Sequence, residues 1–209
     1  MEKNVKPLKI VAVSAGLSQP SSTRLLADRL AEATRRRLAE EREVEVRVVE
    51  LRDVATDVAK NMVTGFPGPV LREVIEAVTE ADGLIAVTPI FTASYSGLFK
   101  SFFDVIDSDA LAGKPVLIAA TGGTARHSLA LEHALRPMFV YLRALVLPTA
   151  VYAASEDWGG GGDAHTDGLA VRIDRAAGEL ADLLLRRPPA TRPVETVVPF
   201  AEQLAALRP

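Results

Sequence analysis

Ten consecutive residues carry five hydroxyls: Ser14, Ser18, Ser21, Ser22 and Thr23, in the string Ser14-Ala15-Gly16-Leu17-Ser18-Gln19-Pro20-Ser21-Ser22-Thr23. The string follows a short apolar run and leads into a helical pattern. At a helix start the backbone N–H groups lack partners and the helix dipole is positive, so an anion is favoured there. Hydroxyls donate to phosphate without adding formal charge. One Ser or Thr at this place reads as an ordinary N-cap, whereas five together read as a phosphate cradle. No G-x-G-x-x-G follows the first strand and no G-x-x-x-x-G-K-[ST] occurs anywhere, which disfavours a Rossmann dinucleotide site and a P-loop.

Two further segments invite the same question. Thr88-Pro89-Ile90-Phe91-Thr92-Ala93-Ser94-Tyr95-Ser96-Gly97 mixes apolar, aromatic and small polar residues. Such a surface lies well against a flat ring while offering backbone hydrogen bonds. Thr121-Gly122-Gly123-Thr124 holds two glycines, which let the backbone approach a ligand closely. Taken singly, each is a weak signal, and a plain turn between helix and strand is the commoner explanation. Arg24 and Arg126 are either phosphate partners or surface cations. His127 either approaches a bound ring or sits in solvent. Glu156-Asp157-Trp158 and the four glycines of 159–162 form either a lid or a surface loop.

Other chemistries find little support. His127 and His133 are six apart, which is not a facing spacing on a helix, and His165 is distant. Without H-E-x-x-H a zinc site is disfavoured, and without G-x-S-x-G so is a hydrolase elbow. The chain has no cysteine, which removes disulfides, thiolate metal sites and cysteine nucleophiles.

The elements that must position these segments alternate along the chain. Apolar, β-branched strands are predicted over 8–13, 44–51, 83–88, 116–120 and 145–153. Helices are predicted over 23–42, with Leu26, Leu30 and Ala33 on one face, and around Leu71, Val74, Ile75 and Val78. Two more cover 94–107 and 127–144, the latter kinked or restarted at Pro137. Ile173, Ala176, Ala177, Leu180 and Leu184 mark the last helix. Residues 52–69, with Gly65, Pro67, Gly68 and Pro69, read as a long loop. Five apolar strands separated by helices imply a parallel sheet covered on both faces. In such sheets ligands sit beyond the carboxyl ends of the strands, at the switch point. The three segments therefore share one sheet edge, and they strengthen one another.

Composition narrows the setting. The chain has 209 residues, enough for one large domain, and 48% are hydrophobic. No apolar run approaches the ~20 residues of a membrane span, and the mixed polar start does not read as a signal peptide. A formal net charge of −3 argues against nucleic acid as partner. Arg35-Arg36-Arg37, answered by Glu40, Glu41 and Glu43, reads as a solvated helix face. A cytoplasmic protein away from membranes is the expectation. Residues 1–187 read as one domain. Residues 188–209 read as a C-terminal extension whose apolar patch around Phe200 docks on the body or on a neighbouring subunit.

Taken in order, these pieces resemble the NADPH-dependent FMN reductase family. Within it they are most similar to actinobacterial-type FMN reductases that supply reduced flavin to luciferase-like monooxygenases. The resemblance rests on Val11-Ala12-Val13-Ser14 followed by Ser21-Ser22-Thr23-Arg24, and on Thr88-Pro89-Ile90-Phe91 with Ser96-Gly97-Leu98-Phe99-Lys100. Gly113-Lys114-Pro115 and Thr121-Gly122-Gly123 complete it, over roughly residues 8–185. It implies a flavodoxin-like three-layer α/β sandwich around a five-stranded parallel sheet of order 2-1-3-4-5. It also implies FMN as cofactor and NADPH or NADH as reductant.

By the same resemblance, Ser14, Ser18, Ser21, Ser22 and Thr23 hold the FMN phosphate. Pro89, Ile90, Phe91, Thr92, Ala93 and Ser94 line the isoalloxazine ring, and Thr121, Gly122 and Gly123 meet its far edge. Phe91 departs from the Tyr of many members, which keeps ring packing and loses a hydroxyl hydrogen bond. Hydride passes between stacked rings, so no side chain need act as acid or base. No catalytic residue and no metal ligand are therefore assigned. The resemblance also implies a homo-oligomer, dimer or tetramer, with a flavin-dependent monooxygenase as recipient of the reduced flavin. The alternatives are a quinone, azo-dye or metal-ion reductase on the same scaffold, or a flavin-binding electron carrier or sensor. The modest charge and the absence of Trp from the loop after the third strand weigh against a carrier.

Overall fold

A computed structural model of the protein describes residues 6–159 and 168–186. Strand β1 (Leu8–Ser14) lies parallel to β2 (Val44–Glu50) on one side and to β3 (Gly83–Phe91) on the other. Beyond β3 comes β5 (Pro115–Gly122), also parallel. Central strands buried on both faces read as continuous apolar runs, because each alternate side chain enters a different core. Ile10 and Ala12 pack beneath α1 (Ser22–Leu38) and α6 (Leu169–Arg186). Val11 and Val13 face the opposite core, with α3 (Pro69–Glu80), α4 (Gly97–Asp104) and α5 (Arg136–Tyr141). The result is a three-layer α/β sandwich. No described helix is long and apolar enough to cross a membrane.

The sheet departs from the expected five strands of order 2-1-3-4-5. It has seven strands, ordered β2-β1-β3-β5-β6, with β7 also on β5 and β4 on β3. The expected last strand over 145–153 divides into β6 (Leu145–Val146) and β7 (Val151–Ala154), both parallel to β5. Pro148, which has no N–H, lies in the gap. The gap's polar groups are satisfied from helices: Arg136 donates to the Leu147 and Pro148 carbonyls, and Glu179 accepts from the Thr149 N–H at 2.9 Å. The extra strand β4 (Ser94–Tyr95) folds back antiparallel on Ile90 and Phe91. Its turn places Thr92 and Ala93 at φ of 48° and 64°, the sign that two-residue hairpin turns need.

Residues 52–69 are likewise not a long loop. A 3₁₀ turn (Leu51–Val54) runs into α2 (Ala55–Thr64), which buries Val58 and Asn61 and ends at Gly65 with φ 77°. Val54, Val58 and Asn61 recur at i, i+4 and i+7, a helical face made of only three residues. Near Pro137 a π-helical turn (Leu131–Leu135) gives way to α5, where proline takes a first-turn position at which its missing N–H costs nothing. The expected extension 188–209, His165 and glycines 160–162 lie outside the described residues.

The core behind the site is aromatic. Phe99 meets Phe103 edge-on at 4.8 Å, and Phe103 meets Phe139 at 4.9 Å. Phe99 and Phe139 are fully buried. Phe139→Ala is expected to lower unfolding free energy by about 3–5 kcal/mol. Denaturant titration checks this; a loss near zero would mean that the cluster is not packed as described.

Candidate functional site

A cleft of about 580 Å³ opens at the carboxyl ends of β1, β3, β5 and β7. The switch point lies here, because the chain leaves β1 outward to β2 and then returns to β3 on its other side. Gly16, Leu17, Ser18, Ser22 and Thr23 line it from the loop after β1. Pro89, Ile90 and Phe91 come from β3, Thr121 to Gly123 from β5, and Ser155 and Trp158 from the turn after β7.

The hydroxyl-rich loop divides its labour. Ser21 is the N-cap of α1: its Oγ accepts the Arg24 N–H at 3.1 Å. It does not line the cleft. The Leu25 N–H goes to the Ser21 carbonyl, so Ser22 and Thr23 carry the other early N–H groups of α1 and sit in the cleft wall. Thr23 is buried, and its hydroxyl pairs with that of Thr121 at 2.8 Å. One bond therefore joins the helix start to the loop after β5. Ser18 lines the cleft and its hydroxyl donates to the Pro20 carbonyl at 3.0 Å. Ser14 lies deeper, 1% exposed, outside the lining, and its Oγ has no partner among the described residues.

The cations beside this loop are committed elsewhere. Arg24, one of the candidate phosphate partners, pairs with Asp28 at 2.8 Å and Glu50 at 2.7 Å. The hydrogen bond to Asp28 above all, and then the Asp28 charge and the bond and charge of Glu50, raise the guanidinium pKa above its usual value against the opposing effect of burial. Arg52, which sequence reasoning missed, pairs with Glu50 at 2.7 Å and donates to the Ser18 carbonyl at 3.0 Å. It straps the loop to the end of β2, across 34 residues of chain. No local pattern signals such a strap. The end of the cleft at the start of α1 thus presents hydroxyls and backbone N–H groups.

The ring-sized part of the cleft is held as firmly. Thr88 is buried, accepts the Ser96 N–H at 3.0 Å and donates to the Pro89 carbonyl at 2.9 Å, which pins the β3–β4 hairpin. Pro89, Ile90 and Phe91 line the cleft; Thr92, Ala93 and Ser94 form the hairpin tip and do not. Gly122 packs on Tyr152: a Cβ there would stand 2.0 Å from the Tyr152 hydroxyl oxygen. That hydroxyl donates to the Thr124 carbonyl at 2.9 Å, and burial together with the charge of Glu156 pushes the phenol pKa up. Tyr152 therefore stays protonated as a donor.

Trp158, read from the sequence as part of a lid or a surface loop, lines the cleft together with Ser155, which sequence reasoning missed. Asp157 accepts the Ala154 N–H at 2.8 Å and pairs with Arg172, which fixes the turn. Trp158 is thus held against the cleft by a hydrogen-bonded turn, while glycines 160–162 of the same expected segment lie outside the described residues. The available signal was Trp158 itself, the only tryptophan of the chain. His127 is exposed in a short turn, Ala125–His127. Among the described residues no cluster of His, Asp or Glu could hold a metal.

None of the lining side chains is ionisable. The cleft offers an anion seat at one end and flat apolar and backbone surfaces beyond it. It can bind and orient, but acid–base chemistry of its own is beyond it, so reactivity must come with a bound cofactor.

Comparison with known proteins agrees with this reading. Residues 8–159 match the model of a family described as NADPH-dependent FMN reductase. The chain is 40% identical over 152 residues to "FMN reductase (NADPH)" of Pseudomonas aeruginosa, covering 73% of this chain and 80% of that one. It is 39% identical to the "NADH-dependent FMN reductase SfnE" of Pseudomonas putida, covering 72% and 79%. The solved structure of an oxidoreductase from Corynebacterium diphtheriae is 45% identical, with a TM-score of 0.82 over 87% of this chain and 99% of that one. Likeness to solved flavodoxin-type structures at 14% and 15% identity shows the fold alone, and that fold is flavodoxin-like.

Proposed function

We propose, from the premise that this chain belongs to the NADPH-dependent FMN reductase family, that its cleft holds FMN with the phosphate at the start of α1. The protein is an NAD(P)H-dependent FMN reductase. The observation that carries the placement is a cleft with hydroxyls and helix N–H groups at one end and no ionisable side chain in its lining. Ser18, Ser22 and Thr23 face the phosphate. Ser21 caps the helix that presents them, and Ser14 stands behind them as a buried hydroxyl with unused bonding capacity. Pro89, Ile90 and Phe91 lie along the ring, and Thr121, Gly122 and Gly123 meet its edge. Thr92, Ala93 and Ser94 act by closing the hairpin that shapes this wall.

Bound FMN supplies a ring that accepts hydride from NADPH or NADH. The protein's own work is to orient and to exclude water. The Thr23–Thr121 bond keeps phosphate seat and ring seat in fixed register, and Tyr152 keeps the Gly122-Gly123 backbone flat against the ring.

A phosphate seat without a formal cation binds more weakly than one built on Arg. That suits a reductase that hands its reduced flavin on, and we take the recipient to be a flavin-dependent monooxygenase. The supply of nicotinamide nucleotides places the reaction in the cytoplasm. The exposed apolar side chains of Leu129, Val140 and Tyr141, beside the groove at Tyr95 and Met138, suit contact with a second copy of the chain. Light scattering should then give a dimer or tetramer.

Two measurements test the assignment. Purified protein with FMN should oxidise NADPH or NADH in steady state; no turnover with either would contradict it. Because Trp158 is the only tryptophan and lines the cleft, FMN should quench intrinsic fluorescence saturably. Unquenched Trp158 at saturating FMN would place the flavin elsewhere.

A further inference from the structure

The reaction needs two nucleotides, and the α1 start seats one phosphate. The second nucleotide carries its own anionic groups, and the cations around the cleft are mostly spoken for. Arg24 and Arg52 are paired with Glu50, Arg172 with Asp157, and Arg29 lies over the Trp158 ring at 5.1 Å. Arg126 differs: it is exposed, and no described carboxylate or carbonyl engages it.

Its position is built. Arg126 sits in the turn Ala125–His127, three residues beyond Gly123 of the cleft lining. Three residues of chain span at most ~11 Å, which places the Arg126 backbone at the rim of the cleft. The turn does not drift, because Thr124 at its start is held by the Tyr152 hydroxyl at 2.9 Å. The Ser128 N–H closes its far side on the Ala125 carbonyl at 3.1 Å. Glu156, whose charge bears on the same Tyr152 hydroxyl, makes this rim unwelcoming to an anion unless a cation stands there too.

We propose that Arg126 binds the 2′-phosphate of NADPH at the rim of the cleft and sets the preference for NADPH over NADH. A guanidinium offers paired N–H donors to a phosphate monoester, a group that NADH lacks. The proposal rests on the reductase reading above.

The test compares kcat/KM for NADPH with kcat/KM for NADH in the wild type and in Arg126→Gln, Arg126→Glu and Arg126→Lys. The NADPH-to-NADH ratio should fall at least about tenfold in Arg126→Gln, further in Arg126→Glu, and recover in part in Arg126→Lys. The fall should lie in KM for NADPH. Quenching of Trp158 by FMN reports that each variant is folded with an intact flavin seat. A ratio unchanged within about twofold in both Arg126→Gln and Arg126→Glu overturns the proposal while leaving the reductase reading intact. So does a wild type that prefers NADH by about tenfold or more. A wild type that turns over neither nucleotide overturns both.

Discussion

Replacing Ser21 and Ser22 together by Asp is expected to cut FMN affinity by about 100-fold or more, with no loss of fold. Unit charges a few ångströms apart near a protein surface interact by roughly 3–4 kcal/mol, and the phosphate here meets no lining cation to offset that repulsion. The two positions contribute unequally. Ser22 lines the cleft, whereas Ser21 caps α1 through the Arg24 N–H. Ser22→Asp alone should therefore account for most of the loss. Asp caps helices as well as Ser does and suits the positive end of the dipole, so the variant without FMN should melt no lower than the wild type. Calorimetric FMN titration beside thermal melting reads both signs. Undiminished affinity would remove the phosphate from the start of α1.

The second large effect concerns Gly16. A Cβ at this position would stand 2.0 Å from the Ser21 Oγ and 3.1 Å from the Cβ atoms of Ser21 and Thr23. The Ser21 oxygen cannot swing away without releasing the Arg24 N–H, and a shift of Thr23 strains its bond to Thr121. Gly16→Ala should cost about 2 kcal/mol, or roughly 4–8 °C in Tm, and weaken FMN binding as well. Combining it with Ser21→Gly removes the Ser21 Oγ and Cβ at little capping cost and leaves only the Thr23 Cβ at 3.1 Å, so the double variant should regain most of the lost stability. A double variant no better than Gly16→Ala would locate the strain elsewhere.

Local chemistry was legible in the sequence, and long-range chemistry was not. The loop after β1 announces itself because its hydroxyls and the helix they introduce are contiguous. Pro89 to Phe91 and Thr121 to Gly123 were legible because alternating strands and helices put their loops on one edge. Residues 92–94 were not separable from them, since the hairpin that turns them out of the cleft depends on two left-handed backbone positions. Arg52 and Glu50 act across the fold and leave no spacing to read. The helix α2 hides because only Val58 and Asn61 of its ten residues are buried, between a short turn and a Gly/Pro cluster. Pro148 was visible but its consequence, a strand broken in two and repaired by Arg136 and Glu179, needs the neighbouring helices to be in place.

The central claim is where the phosphate sits, and a crystal structure with FMN bound measures that directly. We expect phosphate oxygens within hydrogen-bond distance of the Ser22 and Thr23 N–H groups, with the ring between Pro89–Phe91 and Thr121–Gly123. Phosphate density at Arg126, or a flavin outside the cleft, would contradict it.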